Sequence, residues 1–218
     1  MRLPGTVPVR LVLADDEPLL RRGLKVLLEA DGRVEVVGEA ADGAGLLEAV
    51  RRLRPDVALV DVQMPGMDGL TALKALLAWP DPPALAVLTT FDLDEYVATA
   101  LELGAQGFLL KDAEPDALAR AVLDLAAGGA VLDPRITARL LPKLRATRLR
   151  ENPHLNGLSA RERQVLTLLA SGQPNSAIAA ALGLSEATVK SYVSTVLTKL
   201  GVENRVQAAL VAHQVGTW

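Results

Sequence analysis

The sequence predicts a doubly wound α/β domain followed by a smaller all-α domain, and three observations carry that reading. From residue 9 to about 127, short apolar runs alternate with amphipathic stretches of helix length. The apolar runs are rich in Val and Leu on both faces, as parallel strands are when helices cover both sides of their sheet. From Leu158 onward the alternation stops and only helical spacing is left.

In chain order, the strand candidates are Val9–Ala14, Val34–Gly38, Val57–Asp61, Leu85–Thr90 and Gly107–Leu110. Between them lie helix-length stretches near 18–30, 43–53, 69–78, 93–103 and 115–127. Five βα units imply a parallel sheet, and in such folds ligands sit at the carboxyl ends of the strands. Gly128-Gly129 ends the last of these helices, and the basic, Pro-interrupted stretch Asp133–Pro153 reads as linker. Ser159-Ala160-Arg161-Glu162 then has the Ser-x-x-Glu pattern in which side chain and backbone cap a helix start reciprocally, with Gly172 as its stop. A short helix near 175–182 ends at Gly183, and Ser185 caps a third whose apolar face is Val189, Val193, Val196, Leu197 and Leu200. Asn204 begins a fourth. The expected division is a first domain over 9–130, a linker over 131–155 and a second domain over 156–218.

Half of the 218 residues are hydrophobic but only 3% are aromatic, so the cores must be built from Leu, Val and Ala. There is no cysteine, which removes disulfides, thiolate metal sites and thiol catalysis and fits a cytoplasmic protein. The first eight residues lack an apolar signal-peptide core, and no uncharged apolar run approaches the roughly 18 residues that span a bilayer, so no membrane association is expected. The net charge of −3 hides an asymmetry: residues 1–130 carry 12 Lys/Arg against 21 Asp/Glu, whereas residues 131–155 carry 6 against 2 and residues 156–218 carry 5 against 3. An acidic front and a basic back suit a metal- and phosphate-handling domain joined to one that binds a polyanion.

Three acids fall where strands stop: Asp15 and Asp16 after the first, Asp61 at the end of the third. If those strands are neighbours, the carboxylates converge and repel one another unless a cation sits among them. Oxygen ligands without His or Cys suit a hard ion such as Mg²⁺, which also neutralises charge on a transferring phosphoryl group. Strand four ends in Thr89-Thr90, with hydroxyl donors, and strand five is followed by Lys111, a cation on a long stem. Taken singly, an Asp after a strand is ordinarily a cap, a Lys is ordinarily solvated and a Thr reflects β-propensity. Together at one edge they make a phosphoryl site with a carboxylate nucleophile.

The order of motifs resembles a response-regulator receiver domain: Ala-Asp-Asp-Glu-Pro at 14–18, Val-Asp-Val-Gln-Met-Pro-Gly-Met-Asp-Gly at 60–69, Leu-Thr-Thr-Phe-Asp at 88–92 and Gly-Phe-Leu-Leu-Lys-Asp at 107–112. The resemblance implies a flavodoxin-like, five-stranded sheet in the order 2-1-3-4-5. It makes Asp61 the phospho-acceptor, with a sensor histidine kinase as donor. Asp15, Asp16, Asp61 and the backbone carbonyl of Gln63 are implied to hold Mg²⁺, Thr89 and Lys111 to contact the phosphoryl oxygens, and Phe108 to be the aromatic switch residue alongside Thr89. Gln63 and Phe91 each lie two residues beyond a site residue and are expected to flank the phosphoryl group; a bulky Phe91 there would slow hydrolysis of the aspartyl phosphate.

In the second domain, the helices at 175–182 and 185–200, joined by Gly183-Leu184, have the size and turn of a helix-turn-helix. With the Val/Leu face buried, Lys190, Ser191, Ser194 and Thr198 are left outside. Lys reaches phosphate or guanine and Ser bonds to several base edges; an ordinary surface helix has the same look. Residues 158–210 resemble the four-helix LuxR-type DNA-binding domain, through Leu-Ser-Ala-Arg-Glu-Arg-Gln-Val-Leu, Asn-Ser-Ala-Ile-Ala-Ala-Ala-Leu, Leu-Ser-Glu-Ala-Thr-Val-Lys-Ser-Tyr-Val and Lys-Leu-Gly-Val. With the receiver, this is the pattern of the NarL/FixJ family. The resemblance implies contacts to double-stranded DNA from Lys190, Ser191 and Ser194, with Thr188 and Lys199 on phosphates, and a homodimer of the phosphorylated protein paired through the last helix, near 205–215. Ala177 in place of the common Glu, Pro174 before Asn175 and Tyr192 in place of a common His are departures. His213 reads as a surface residue and His154 as part of the linker.

Rival readings fit less well. An aspartyl-nucleophile phosphatase would want a second acid where Gln63 stands. A dinucleotide-binding fold would want a third glycine beyond Gly43-Ala44-Gly45 and a different place for it. A DNA-binding factor with a degenerate, phosphorylation-independent receiver would not need the full set of Asp15, Asp16, Asp61, Thr89 and Lys111. A regulator rather than an enzyme is expected.

Overall fold

A computed structural model describes residues 7–89, 94–133, 135–136, 157–202 and 204–214. The chain divides into two compact units, Met1–Ala126 with Val131–Asp133 and Ala127–Ala130 with Pro134–Trp218.

The first unit alternates β1 (Val9–Ala14), α1 (Pro18–Glu29), β2 (Val34–Ala40), α2 (Gly43–Leu53), β3 (Val57–Asp61), α3 (Gly69–Leu77), β4 (Ala84–Thr89), α4 (Asp94–Leu103), β5 (Gly107–Leu110), α5 (Pro115–Ala126) and β6 (Val131–Leu132). All pairings are parallel, in the order β2-β1-β3-β4-β5-β6. The implied order is therefore present and extended: the sheet has six strands among the described residues, not five. The sixth pairs Val131 with Gly107 and Leu132 with Phe108, residues assigned above to the linker. Two residues are too few to show a strand period, so nothing in their sequence announces the pairing.

The central strands are buried on both faces. Leu11, Val12, Leu13 and Ala14 of β1 and all of β3 are inaccessible or nearly so, which accounts for their unbroken apolar runs. On one side of the sheet Leu24 and Leu28 of α1 and Leu118, Val122 and Leu125 of α5 close over Leu11, Leu13, Leu59 and Leu88. Each such leucine contributes about 2 kcal/mol of burial. Helix starts follow local chemistry: Pro18 opens α1, where its missing N–H costs nothing, and Asp42 and Asp68 cap α2 and α3 by accepting from the amides of Gly45 and Thr71, each at 2.7 Å.

Four helices are described in the second unit: α6 (Ala160–Ala170), α7 (Asn175–Leu182), α8 (Glu186–Leu200) and α9 (Arg205–Gln214). The capping box forms as read: the Glu162 amide donates to Ser159 Oγ at 3.2 Å and the Ser159 amide to Glu162 Oε2 at 2.6 Å. Ser185 caps α8 by accepting from the Thr188 amide at 3.1 Å, and Asn204 caps α9 by accepting from Gln207 at 2.9 Å. Gly183 ends α7 at φ 64°, a left-handed turn that turns the chain sharply into α8. Val165, Leu166, Leu169, Ile178, Val189, Val196, Leu200 and Val211 form one core. Pro174 stands at the N-cap of α7 without a side-chain cap bond, and Tyr192 packs part-buried against the core.

Candidate phosphoryl and DNA-binding sites

Because β1 and β3 are paired, with Ala14 beside Val60, the acids at their carboxyl ends share one edge. One carboxylate oxygen from each of Asp15, Asp16 and Asp61 lies within 4.8 Å of the others. Asp15 is 0% and Asp61 4% exposed, while Asp16 faces solvent. Lys111, following β5, brings Nζ to 2.8 Å from Asp61 Oδ2 and 2.9 Å from Asp15 Oδ2. Its side chain is only 8% exposed, so the ammonium is inserted among the acids rather than solvated. Thr89, the last residue of β4, is buried, and its carbonyl accepts from the Lys111 amide at 3.0 Å. Phe108, in β5, is fully buried. The Gln63 amide donates to Asp61 Oδ1 at 3.3 Å, and the Gln63 side chain is exposed. Thr90, Phe91 and His154 lie outside the described residues, as does the side chain of His213.

Burial pushes the Asp61 carboxyl above the usual carboxylate range, the Asp15 charge adds to this, and the pull of Lys111 and the Gln63 amide does not cancel it. Burial also works against the charge on Lys111, but the flanking carboxylates of Asp61 and Asp15 overcome it and hold the ammonium above its ordinary value. Asp15 Oδ2 is buried and accepts no hydrogen bond, its contact with Lys111 being an ion pair without hydrogen-bond alignment. A buried anionic oxygen that is ion-paired with Lys111 and stands beside two further carboxylates fits a small, hard divalent cation.

Sequence reasoning missed the residues around this cluster. Glu17 is exposed, donates its amide to Asp15 Oδ1 at 2.8 Å and places Oε1 3.7 Å from Lys111 Nζ. Arg21, on α1, donates to the Asp15 carbonyl and pairs with Glu39 of β2. The signal available was an arginine one turn past a Pro-started helix that leaves an acid pair.

In the second unit, Val189, Val196 and Leu200 of α8 are buried, and Thr188, Lys190, Ser191, Ser194, Thr198 and Lys199 are exposed. The Ser191 and Thr198 hydroxyls donate to the helix carbonyls of Ala187 and Ser194, at 3.2 and 3.0 Å. Lys199 also has a partner inside the unit: Nζ lies 2.8 Å from both carboxylate oxygens of Glu162 and 3.2 Å from the Gly157 carbonyl. Lys199 and the Ser159 cap hold the Glu162 carboxyl below its usual range. Arg205, 5% exposed, donates to the Gln173 carbonyl at 2.5 Å and to Asn175 Oδ1 at 3.3 Å, and burial holds its guanidinium down to about 10.

An acid cluster with a lysine at the strand ends, joined to a helix-turn-helix with a hydroxyl-rich outer face, defines the class of phospho-accepting, DNA-binding regulators. Comparison with known proteins agrees: residues 11–123 match the response regulator receiver domain, and residues 156–212 match the bacterial regulatory proteins of the luxR family. The chain is 41% identical over 207 residues to the nitrate/nitrite response regulator protein NarL of Escherichia coli K12, covering 95% of this chain and 96% of that one. It is 43% identical over 208 residues to the DNA-binding transcriptional activator DevR/DosR of Mycobacterium tuberculosis H37Rv, covering 95% of both. A structure of two RcsB dimers bound to two parallel DNAs is similar at TM-score 0.57 and 30% identity, over 97% of this chain and 100% of that one. The chain belongs to the NarL/FixJ family of two-component response regulators. It joins a receiver to a LuxR-type DNA-binding domain and is a regulator of transcription rather than an enzyme of the ordinary kind. Among the described residues no helix is long and apolar enough to cross a membrane.

Proposed function

We propose that Asp61 accepts a phosphoryl group from a phosphohistidine of a sensor histidine kinase and that the phosphate favours a DNA-binding homodimer. The observation that carries this is the convergence of three carboxylates at the carboxyl edge of the sheet, two of which, Asp15 and Asp61, pair with one buried lysine. In the transfer, an Asp61 carboxylate oxygen bonds to phosphorus, the phosphorus–nitrogen bond to the donor imidazole breaks, and the imidazole leaves with its electron pair. Asp15, Asp16, Asp61 and the Gln63 carbonyl would hold Mg²⁺, which neutralises charge on the transferring group when bound. Asp61 must be ionised to attack, and Lys111, already beside it, keeps a cation near the oxygens that gain charge. Thr89 supplies a hydroxyl to the same oxygens. Their movement towards the phosphate, with repacking at Phe108, biases a two-state equilibrium.

At the other end, α8 enters the major groove, with Lys190, Ser191 and Ser194 at base edges or backbone and Thr188 and Lys199 at phosphates. Lys199 adds the least net charge because Glu162 neutralises it. The modest positive balance of residues 156–218 favours two half-sites over one, and the RcsB dimers on DNA support the same arrangement. A cytoplasmic location fits a regulator that meets both a kinase and DNA, with the division between the two functions placed after β6 and before residue 156.

Incubation with acetyl phosphate and Mg²⁺ tests the reading. A base-labile phosphoryl adduct is expected on the wild type and absent from Asp61→Ala. Wild type that forms no adduct, yet binds its operator as tightly with acetyl phosphate as without it, would instead favour a phosphorylation-independent factor with a degenerate receiver.

A further inference from the structure

The two peptides on either side of the Asp15 α-carbon are held from outside the acid cluster. The Asp15 amide donates to the Ala40 carbonyl of β2 at 3.1 Å. The Asp15 carbonyl, on the other side, accepts from Arg21 Nη1 at 2.5 Å. Arg21 is in turn fixed, Nε donating to Glu39 Oε2 at 3.1 Å, and Lys25 Nζ steadies the other oxygen of Glu39 at 3.4 Å. With a side chain only 16% exposed, Arg21 is a packed strut between α1, β2 and the acid loop rather than a loose surface ion pair.

That strut acts on a particular plane. The carbonyl it holds belongs to the peptide bond that sets where the Asp16 Cα–Cβ bond leaves the backbone, and Asp16 itself is exposed, without burial to orient it. Asp15 is oriented by the core, Asp61 by β3; Asp16 depends on its backbone. We infer that Arg21 is a positioning residue for the divalent-cation site, aiming Asp16 at Asp15 and Asp61 by fixing the peptide before it. This rests on the reading of the acids as a Mg²⁺ site.

Charge and geometry make opposite forecasts. Arg21 places a cation near three carboxylates, so its removal would tighten Mg²⁺ binding if charge alone mattered. If it aims a ligand, removal weakens binding, as loss of an outer-shell partner does.

The test is calorimetric titration of the full chain with Mg²⁺ alone, with the melting temperature of each variant measured in Mg²⁺-free buffer. Arg21→Gln is expected to bind Mg²⁺ roughly tenfold more weakly than wild type. Arg21→Lys keeps the charge but not the planar pair of donors, and is expected to lose affinity in the same direction at a near-native melting temperature. Affinity equal to or tighter than wild type in a folded Arg21→Lys or Arg21→Gln protein overturns the inference. A wild type that takes up no Mg²⁺ overturns the metal reading itself, and a wild type that binds while the variants match it overturns only the role of Arg21.

Discussion

The ammonium of Lys111 lies 2.8 Å from Oδ2 of Asp61, so a cation already stands against the proposed nucleophile before any divalent ion or phosphate arrives. Lys111→Ala removes it and leaves Asp15 and Asp61 buried together. Breaking such a pair is expected to cost about 3–5 kcal/mol in Mg²⁺-free buffer, with Mg²⁺ restoring more stability to the variant than to the wild type. The sign with pH follows from Asp61, whose carboxyl is raised in the folded state: the protonated form is favoured there, so the variant's deficit is smallest in acid and grows as pH rises through that raised value. Urea denaturation at several pH values, with and without Mg²⁺, reads both effects.

Gly69 controls the same residue through the backbone. Its amide donates to the Val62 carbonyl at 2.9 Å, and a Cβ there would overlap the Asp61 carbonyl group, with the Val62 Cα at 3.0 Å. The obstacle is backbone at the end of a buried strand, so no side chain can turn aside. Gly69→Ala is expected to lose at least about 2 kcal/mol and most phosphorylation. Gly23, mid-helix in α1 with open space around it, is the control: Gly23→Ala should gain about 0.5–1 kcal/mol. Melting curves of the two variants, compared side by side, check the contrast.

Glu162 ties two jobs together, as the cap partner of Ser159 and the counter-ion of Lys199. Its carboxyl is depressed in the folded state from the ordinary 4.5. The stability it contributes is therefore present above that ordinary value and lost as pH falls through the depressed one. Acid titration of the DNA-binding unit's helical signal should show this loss in the wild type and a flatter profile in Glu162→Gln.

The two lysines of α8 should separate on DNA. Lys190 is exposed, and Lys199 is engaged by Glu162. Lys190→Ala is expected to lower the slope of log K against log salt by about 0.9. Lys199→Ala is expected to change that slope less and to lower the melting temperature more. Binding isotherms over a salt series, beside melting curves, resolve the pair.

Much of this was legible beforehand because it is written in local pattern. The capping box at Ser159–Glu162, the stops at Gly172 and Gly183 and the strands Val9–Ala14 and Val57–Asp61 are short-range signals with a direct physical cause. The acid cluster was legible because strand ends in a parallel sheet share one edge. What escaped depends on side chains reaching across the fold. Lys199 looks like a free cation in sequence, but its partner lies 37 residues away, in a residue whose pattern already announced a cap. Arg21 reaches a backbone carbonyl, and only its place one turn into a Pro-started helix after an acid pair hints at it. The buried guanidinium of Arg205, on Gln173 and Asn175, has no motif either; Arg205→Met is expected to cost about 2–3 kcal/mol by leaving those oxygens without a donor.

The most direct test is the affinity of one preparation for its operator, at fixed salt, before and after phosphorylation with acetyl phosphate and Mg²⁺, for wild type and Asp61→Ala. Phosphorylated wild type should bind roughly tenfold more tightly, with Asp61→Ala unchanged. Equal affinities for modified and unmodified wild type, or the same gain in Asp61→Ala, would contradict the account.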